Sequence, residues 1–308
     1  MTYNHEAYIR EAIEGVLKQQ VNFMVEIVIG DDFSTDNTRE IISEYQNTSN
    51  IHFKILERPI GGEYWTKRQK LGRFYNFQNI IENCNGKYIA LLDGDDYWTD
   101  PYKLQKQVDF LEQNEQFYLC THAMNVLKDG VFTPYTKNKQ VFVLEDFLFA
   151  NQVGYATASY MIRNTSFFQK KITSVAFRNT GSGDLIVAIV CLMQGSMFFI
   201  NEIMGVYRVH EAGVYSQTNW LNKFNNHLKT ALTVDDFLDK KYNKQILRFN
   251  FKKMFLERPK EVSIDEIYSL YSTLEYNSIR RIVYKWIMKV SLTPKIEVFI
   301  TKVLFYRF

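Results

Sequence analysis

The run Ile89-Ala90-Leu91-Leu92-Asp93-Gly94-Asp95-Asp96 constrains this chain more than any other stretch. Its four apolar residues, preceded by Gly86-Lys87, read as an interior strand of a parallel sheet. A strand buried on both faces needs no alternation of polar residues. Its carboxyl end delivers Asp93, Asp95 and Asp96 to the place where open α/β sheets bind their ligands. Carboxylates this close repel one another, and their hard oxygens favour a divalent cation as the compensating charge. A turn rich in Asp and Gly is the simpler reading of an isolated Asp-Gly-Asp. The wholly apolar strand leading into it argues for a site.

The rest of the front half alternates helix and strand signals, as a parallel α/β sheet requires. Residues 7–20 form an amphipathic helix with Ile9, Ile13, Val16 and Leu17 on one face, and residues 25–30 a short strand. The loop Asp31-Asp32-Phe33-Ser34-Thr35-Asp36 follows, with Asp36 placed to cap a helix over 38–45. A strand at 51–56, a glycine-containing loop and a helix over 71–83 lead to the opening strand. Beyond it come a helix at 105–113, extended segments at 118–126 and 157–163, a helix at 183–193 and an extended segment at 197–209. From about residue 220 the chain reads as helical. Ile279, Ile282, Val283, Trp286, Ile287 and Val290 lie opposite Arg280, Arg281, Lys285 and Lys289. The expected architecture is a mostly parallel sheet flanked by helices over 1–216 and a basic helical region over 217–308. Met1-Thr2-Tyr3-Asn4 runs directly into a helix, so the first strand of such a sheet is expected to be missing.

Composition narrows the class. With 46% hydrophobic and 23% charged residues the 308-residue chain is an ordinary folded globule, which excludes a disordered tail. The net charge of +3 hides an asymmetry: residues 216–308 carry 17 basic against 9 acidic residues, and the remainder is acidic. Cys84, Cys120 and Cys191 fit neither a zinc nor a disulfide framework, and a reducing, cytoplasmic compartment is expected. The N-terminus has no basic region followed by an apolar stretch. The apolar run 185–200 is interrupted by Gln194, Gly195 and Ser196, and reads as a buried helix followed by a strand rather than a membrane span. The basic back half suits peripheral contact with the anionic inner face of the plasma membrane, or else is a solvated face on packed helices. No nucleic-acid partner is expected.

Taken together these motifs resemble the family 2 glycosyltransferases, inverting enzymes of the GT-A fold that use nucleotide-sugar donors. Thr2-Tyr3-Asn4 is similar to the family's loop beside the nucleotide. Asp31-Asp32-Phe33-Ser34-Thr35-Asp36 resembles the D-D-x-S-x-D loop, and Asp93-Gly94-Asp95 the D-x-D signature. Gly183-Asp184 resembles the acidic pair at the catalytic base, and 207–216 the closing loop of surface-polysaccharide transferases.

The resemblance implies a UDP-sugar donor, a glycan or lipid-linked saccharide acceptor, and Mn²⁺ or Mg²⁺. It implies that Asp31 or Asp32 binds the base, that Asp93 touches the ribose or a metal-bound water, and that Asp95 holds the metal. Asp184 is then the general base. His210 is a candidate metal ligand, and Arg208 and Ser216 are candidates for phosphate contact. Trp98 and Asp96 are candidates for sugar contact, although a core aromatic and a turn cap account for them equally. Lys67, Arg68, Lys70 and Arg73 occupy the region where the family usually has Asn or Arg-Asn, with Arg73 counted among the nucleotide-binding residues. Two rivals share parts of the pattern. One is a phosphohydrolase built on an apolar strand and D-x-D, which the mid-chain position and Tyr97-Trp98 oppose. The other is a shortened remnant that binds a nucleotide sugar without turnover.

Overall fold

The structure, a computed structural model, describes residues 1–149, 156–178, 180–210 and 220–241. The helical face at 279–290 and Ser216 lie outside the described residues. In chain order the elements are α1 (Ile9–Leu17), β1 (Val25–Ile29), α2 (Thr38–Ser43), β2 (Ile51–Ile55), α3 (Glu63–Leu71), α4 (Phe74–Glu82), β3 (Tyr88–Ala90) and β4 (Tyr97–Trp98). They continue with α5 (Lys103–Gln113), β5 (Phe117–Lys128), β6 (Val131–Tyr135), β7 (Val141–Phe142), α6 (Leu144–Phe149), β8 (Met161–Arg163), α7 (Ser166–Ile172), α8 (Val175–Arg178), α9 (Gly183–Leu192), β9 (Ser196–Val209) and α10 (Trp220–Phe237).

The α/β class stands, with helices flanking a central sheet, but strand directions are mixed. β1 and β2 pair in parallel, as do β5 and β9. The strand that opens the D-x-D loop, β3, pairs antiparallel with β8, and β8 antiparallel with β5. A continuous apolar strand reports burial of both faces and carries no information on the direction of its neighbour. The larger sheet runs β3-β8-β5-β9-β4, with β6 on β5 and β7 on β9.

No ladder joins β1 to β3 among the described residues. At the carboxyl ends of the two pieces of sheet, Met1 and Thr2 lie between them. Thr2 N–H donates to Gly30 O and Thr2 O accepts from Asp32 N–H, a parallel bridge to Asp31. On the other side the Met1 ammonium donates to Leu92 O at 3.1 Å, and Met1 O accepts from Gly94 N–H at 2.8 Å.

Three local expectations change. The helix over 71–83 stands as α4, but the glycine-containing loop before it holds a further helix, α3, which ends at Gly72 with a φ of 81°. α3 has no apolar stripe and no fully buried residue, so periodicity could not reveal it. Residues 157–159 form a 3₁₀ turn before β8 instead of strand. Asn37, not Asp36, holds the N-cap position of α2, and Asp36 one residue earlier accepts from Thr38 N–H at 3.1 Å and the Thr38 hydroxyl at 2.6 Å.

The main core gathers on α9. Its sequence is apolar all round, and Ile186 to Leu192 are buried. Against it pack Phe77 and Ile81 of α4, Leu119 of β5, Phe199 of β9, and Ala231, Val234 and Phe237 of α10. Among the described residues no helix is long and apolar enough to cross a membrane.

A polar cluster is sealed behind α5. Lys103 and His122 are buried, and Lys103 Nζ sits 3.7 Å from the Trp98 ring centroid. Lys103 Nζ, Gln107 Oε1 and His122 Nε2 have no hydrogen-bond partner. His122 Nδ1 faces Ala123 O at 2.8 Å, so Nδ1 carries the proton and Nε2 is a bare acceptor. Burial and the Lys103 charge push the imidazole down to about 3. The unfolded chain therefore binds the proton first as pH falls below about 6.5. His122 costs no stability above that value, and native stability declines as pH drops toward 3. Urea unfolding is expected to show about 2 kcal/mol lost between pH 7 and 5 through this residue. His122→Asn should remove that part of the slope; an unchanged slope would refute the assignment.

Candidate active site

The Asp31–Asp36 loop leaves the carboxyl end of β1 and is stitched to the first residues of the chain. Asn4, at φ 52°, accepts from Thr35 N–H at 2.8 Å and donates its own N–H to Ser34 Oγ at 2.8 Å. Asp31 accepts from the Ser34 N–H and hydroxyl. Arg58, which the sequence reading passed over, is buried beneath this loop. Its guanidinium donates to Asp31 O at 3.0 Å, Asn76 Oδ1 at 2.6 Å and Asn79 Oδ1 at 2.8 Å. Asp32 faces outward from the loop, gripped at both oxygens by Arg68 from α3 at 2.7–3.0 Å. Thr2 is 3% exposed, so its contribution is main-chain; Tyr3 and Asn4 are exposed, and Asn4 spends its side-chain oxygen on Thr35.

The D-x-D loop follows β3. Asp93 is raised above the usual carboxylate range by burial and by the charges of Asp95 and Asp184, against the pull of the Met1 ammonium. Asp95 Oδ2 lies 3.1 Å from His210 Nε2 at the end of β9 and 3.8 Å from His5 Nε2. Gly94 permits this crowding, since an added Cβ would stand 2.8 Å from His5 Nδ1 and 2.9 Å from Thr2 Oγ1. Burial lowers the affinity of His5 for a proton, partly countered by Asp95.

Asp96 and Trp98 correct the sequence reading. Asp96 is 1% exposed and accepts the Arg208 N–H at 2.9 Å, which ties the end of β9 to the loop. Trp98 is 6% exposed, donates its indole N–H to Ala158 O at 2.8 Å, and packs in a core cluster with Val16, Leu104 and Leu111. Neither is free to meet a sugar. Arg208 is likewise engaged, donating to Asp95 O at 2.7 Å and to Glu11.

Asp184 reaches the same place from the first turn of α9. Its carboxylate accepts the Ser182 hydroxyl and makes no helix cap, so the capping role is not the one it fills. Its charge acts on Asp93 and on Arg73, whose guanidinium also donates to Gly181 O at 3.1 Å. Tyr207 on β9, the first residue of the closing loop, faces the whole acidic group. Burial, with the charges of Asp96, Asp95, Asp93 and Asp184, pushes its phenol up to about 12. His5, next to the Thr2-Tyr3-Asn4 motif, and Tyr207, at the start of the closing loop, are further residues of the site.

The fold thus brings Asp93, Asp95, Asp184, His210 and Arg73 together, with Asp31 and Asp32 on the neighbouring loop. Among the described residues no three His, Cys, Asp or Glu side chains are arranged to hold a metal by themselves. Asp95 with His210 instead offers one hard oxygen and one imidazole nitrogen. That donor set fits a divalent ion shared with a bound diphosphate better than a resident structural ion.

The site thus sets clustered carboxylates at the carboxyl ends of the strands of an α/β fold, and comparison with known proteins names its family. The family model for "Glycosyl transferase family 2" matches residues 1–171, and the chain belongs to this family. An uncharacterised Mycobacterium tuberculosis protein is 34% identical over 230 residues, covering 70% of this chain and 59% of that protein. The chain therefore spans little more than half the length of that relative. A Bacillus subtilis protein named for teichuronic acid biosynthesis, the glycosyltransferase TuaG, is 28% identical over 224 residues, covering 71% of this chain and 80% of that one. In fold the chain is similar to Staphylococcus aureus TarS 1–349, solved with UDP-GlcNAc (TM-score 0.60, 18% identity, 89% of this chain and 77% of that chain). It is also similar to the mannosyltransferase PcManGT of Pyrobaculum calidifontis, solved with GDP-Man and Mn²⁺ (TM-score 0.50, 13% identity, 92% and 81%).

Gly94→Ala tests the packing that sets the D-x-D loop. The added methyl must displace His5, Thr2 or Ile9, and a loss of about 1–3 kcal/mol is expected in urea unfolding. A variant as stable as the parent would mean that the loop has room to spare.

Proposed function

We propose that this chain transfers a sugar from a nucleotide-sugar donor, a UDP-sugar, to a hydroxyl of a surface glycan or lipid-linked precursor, with inversion at the anomeric carbon. The observation that carries the reading is the convergence of Asp184, from a helix in the second half of the chain, on the Asp93–Asp95 loop. Inverting transfer needs a base on the side of the acceptor and neutralisation on the side of the leaving group; Asp184 would supply the base, and the Asp93–Asp95 loop would hold the cation that neutralises. Family membership and the UDP-GlcNAc bound to TarS support the donor class.

In this reading the Asp184 carboxylate takes the proton of the acceptor hydroxyl as its oxygen attacks the anomeric carbon. The bond from that carbon to the diphosphate oxygen breaks, and the electron pair leaves on the diphosphate. Asp95 and His210 would hold a divalent cation, Mn²⁺ or Mg²⁺, whose charge would offset that developing on the leaving group. Asp32 accepts an N–H of the base, Asp93 lies toward the ribose, and Arg73 attracts the phosphates. The basic residues of 217–308 bring the protein to the cytoplasmic face of the membrane where lipid-linked acceptors reside; flotation of the full chain with anionic and neutral vesicles tests this, and equal recovery in both would refute it.

UDP release with a panel of UDP-sugars and Mn²⁺ reads the activity. Asp184→Asn is expected to lower turnover by about 10²–10⁴-fold while UDP affinity stays within about twofold. Asp95→Ala should weaken UDP binding in Mn²⁺ but not in its absence. Full turnover in Asp184→Asn would place the base elsewhere, and phosphate release without UDP release would favour a phosphohydrolase.

A further inference from the structure

Helix α3 is lightly anchored for an element bordering a site. None of its residues is fully buried. It lies between Gly61 at φ 82° and Gly72 at φ 81°, positions where an added Cβ would meet nothing within 4 Å. Both glycines supply backbone conformations that side chains disfavour, and neither is hemmed in by neighbours.

Two side chains one turn apart fasten the helix. Arg68 Nε donates to both oxygens of Asp32 at 3.0 Å, and Nη2 to Oδ2 at 2.7 Å. The Tyr64 hydroxyl lies 3.4 Å from Asp32 Oδ1. The Tyr64 ring stacks with Tyr75 at 5.3 Å and carries the Arg58 guanidinium 3.9 Å from its centroid. The fastening therefore ends on the carboxylate that the functional reading gives to the nucleoside base. A guanidinium fork approaches a carboxylate in its plane, along the line that an imide or amidine N–H of a base also takes.

We propose that α3 is a latch on the nucleoside pocket: Arg68 holds Asp32 in the ligand-free protein, and nucleoside entry replaces the Arg68 fork with a base N–H while α3 pivots on Gly61 and Gly72. The proposal rests on the reading of Asp32 as the base-binding residue. A latched population lowers apparent affinity in proportion to the fraction that is open. Ion pairs at partly exposed sites are weak enough for a ligand to break, so removing the latch gains a modest factor, about three- to tenfold.

Uridine and guanosine are the probes, because they have no phosphate that Arg68 could hold. Calorimetric titration is expected to show Arg68→Ala binding one of them about three- to tenfold more tightly than the parent. Amide hydrogen exchange in 63–71 should rise when that nucleoside saturates the parent protein, while exchange in α4 does not. Equal or weaker binding by Arg68→Ala would overturn the latch and make Arg68 part of the pocket. Arg68→Lys, which keeps the charge and loses the fork, should fall between the two and serves if the alanine variant does not fold. If neither nucleoside binds either protein, the base-site reading fails. The latch is then judged on the ligand-free proteins: faster exchange in 63–71 of Arg68→Ala supports it, and unchanged exchange overturns it.

Discussion

Four hydrogen bonds made by the main chain of Met1 and Thr2 set the geometry on which the site depends. The loop with Asp31 and Asp32 leaves one piece of sheet, and the loop with Asp93 and Asp95 leaves the other. Among the described residues no strand ladder couples the pieces, and main-chain bonds link them where Thr2 meets Gly30 and Asp32 and where Met1 meets Leu92 and Gly94. Side chains then reinforce the seam: Ile9, Ile13 and Ile29 pack with Leu92 on one side, and Val16 and Trp98 with Ile27 and Ala90 on the other. Hydrophobic packing resists separation of the two pieces, while the directional bonds fix their register.

The acidic loop illustrates how a protein holds like charges close in the absence of ligand. Asp96 is removed from the contest by burial and by the Arg208 amide, and its proton affinity is raised well above the ordinary carboxylate value. Asp93 is raised as well, while Asp95 is left to two imidazoles. Three adjacent carboxyls thus receive three different environments, and the difference in role that a motif cannot express comes from those environments.

Much of this was legible in the chain. The apolar strand entering Asp93, the apolar face of α1 and the all-apolar α9 follow from periodicity, and the carboxylates fall at the strand and helix ends where the pattern puts them. What escaped notice did so for physical reasons. α3 binds through an ion pair and one ring, which leave no hydrophobic period. A tryptophan looks the same in sequence whether it lines a pocket or, like Trp98, fills a core. Strand direction is a property of connections, so the antiparallel pairing of β3 with β8 could not be read from Ile89 or Ala90. Lys103 and His122 are polar residues that a sequence pattern assigns to the surface, and only the packing of α5 on β5 encloses them.

Helix α10 lies beyond the span matched by the family model, yet it supports the loop that carries Asp184. Thr230 Oγ1 accepts the Gly181 N–H, Thr180 bonds the same hydroxyl, and the backbone at Asn226 approaches Gly181 so closely that a side chain there would collide with it. The contact constrains Gly181, which must stay without a side chain, and Thr230, whose hydroxyl takes two bonds, although neither belongs to a motif. A change in α10 would therefore be felt in the segment 180–182 that leads into Asp184, so the setting of that carboxylate depends on a helix some forty residues further along the chain.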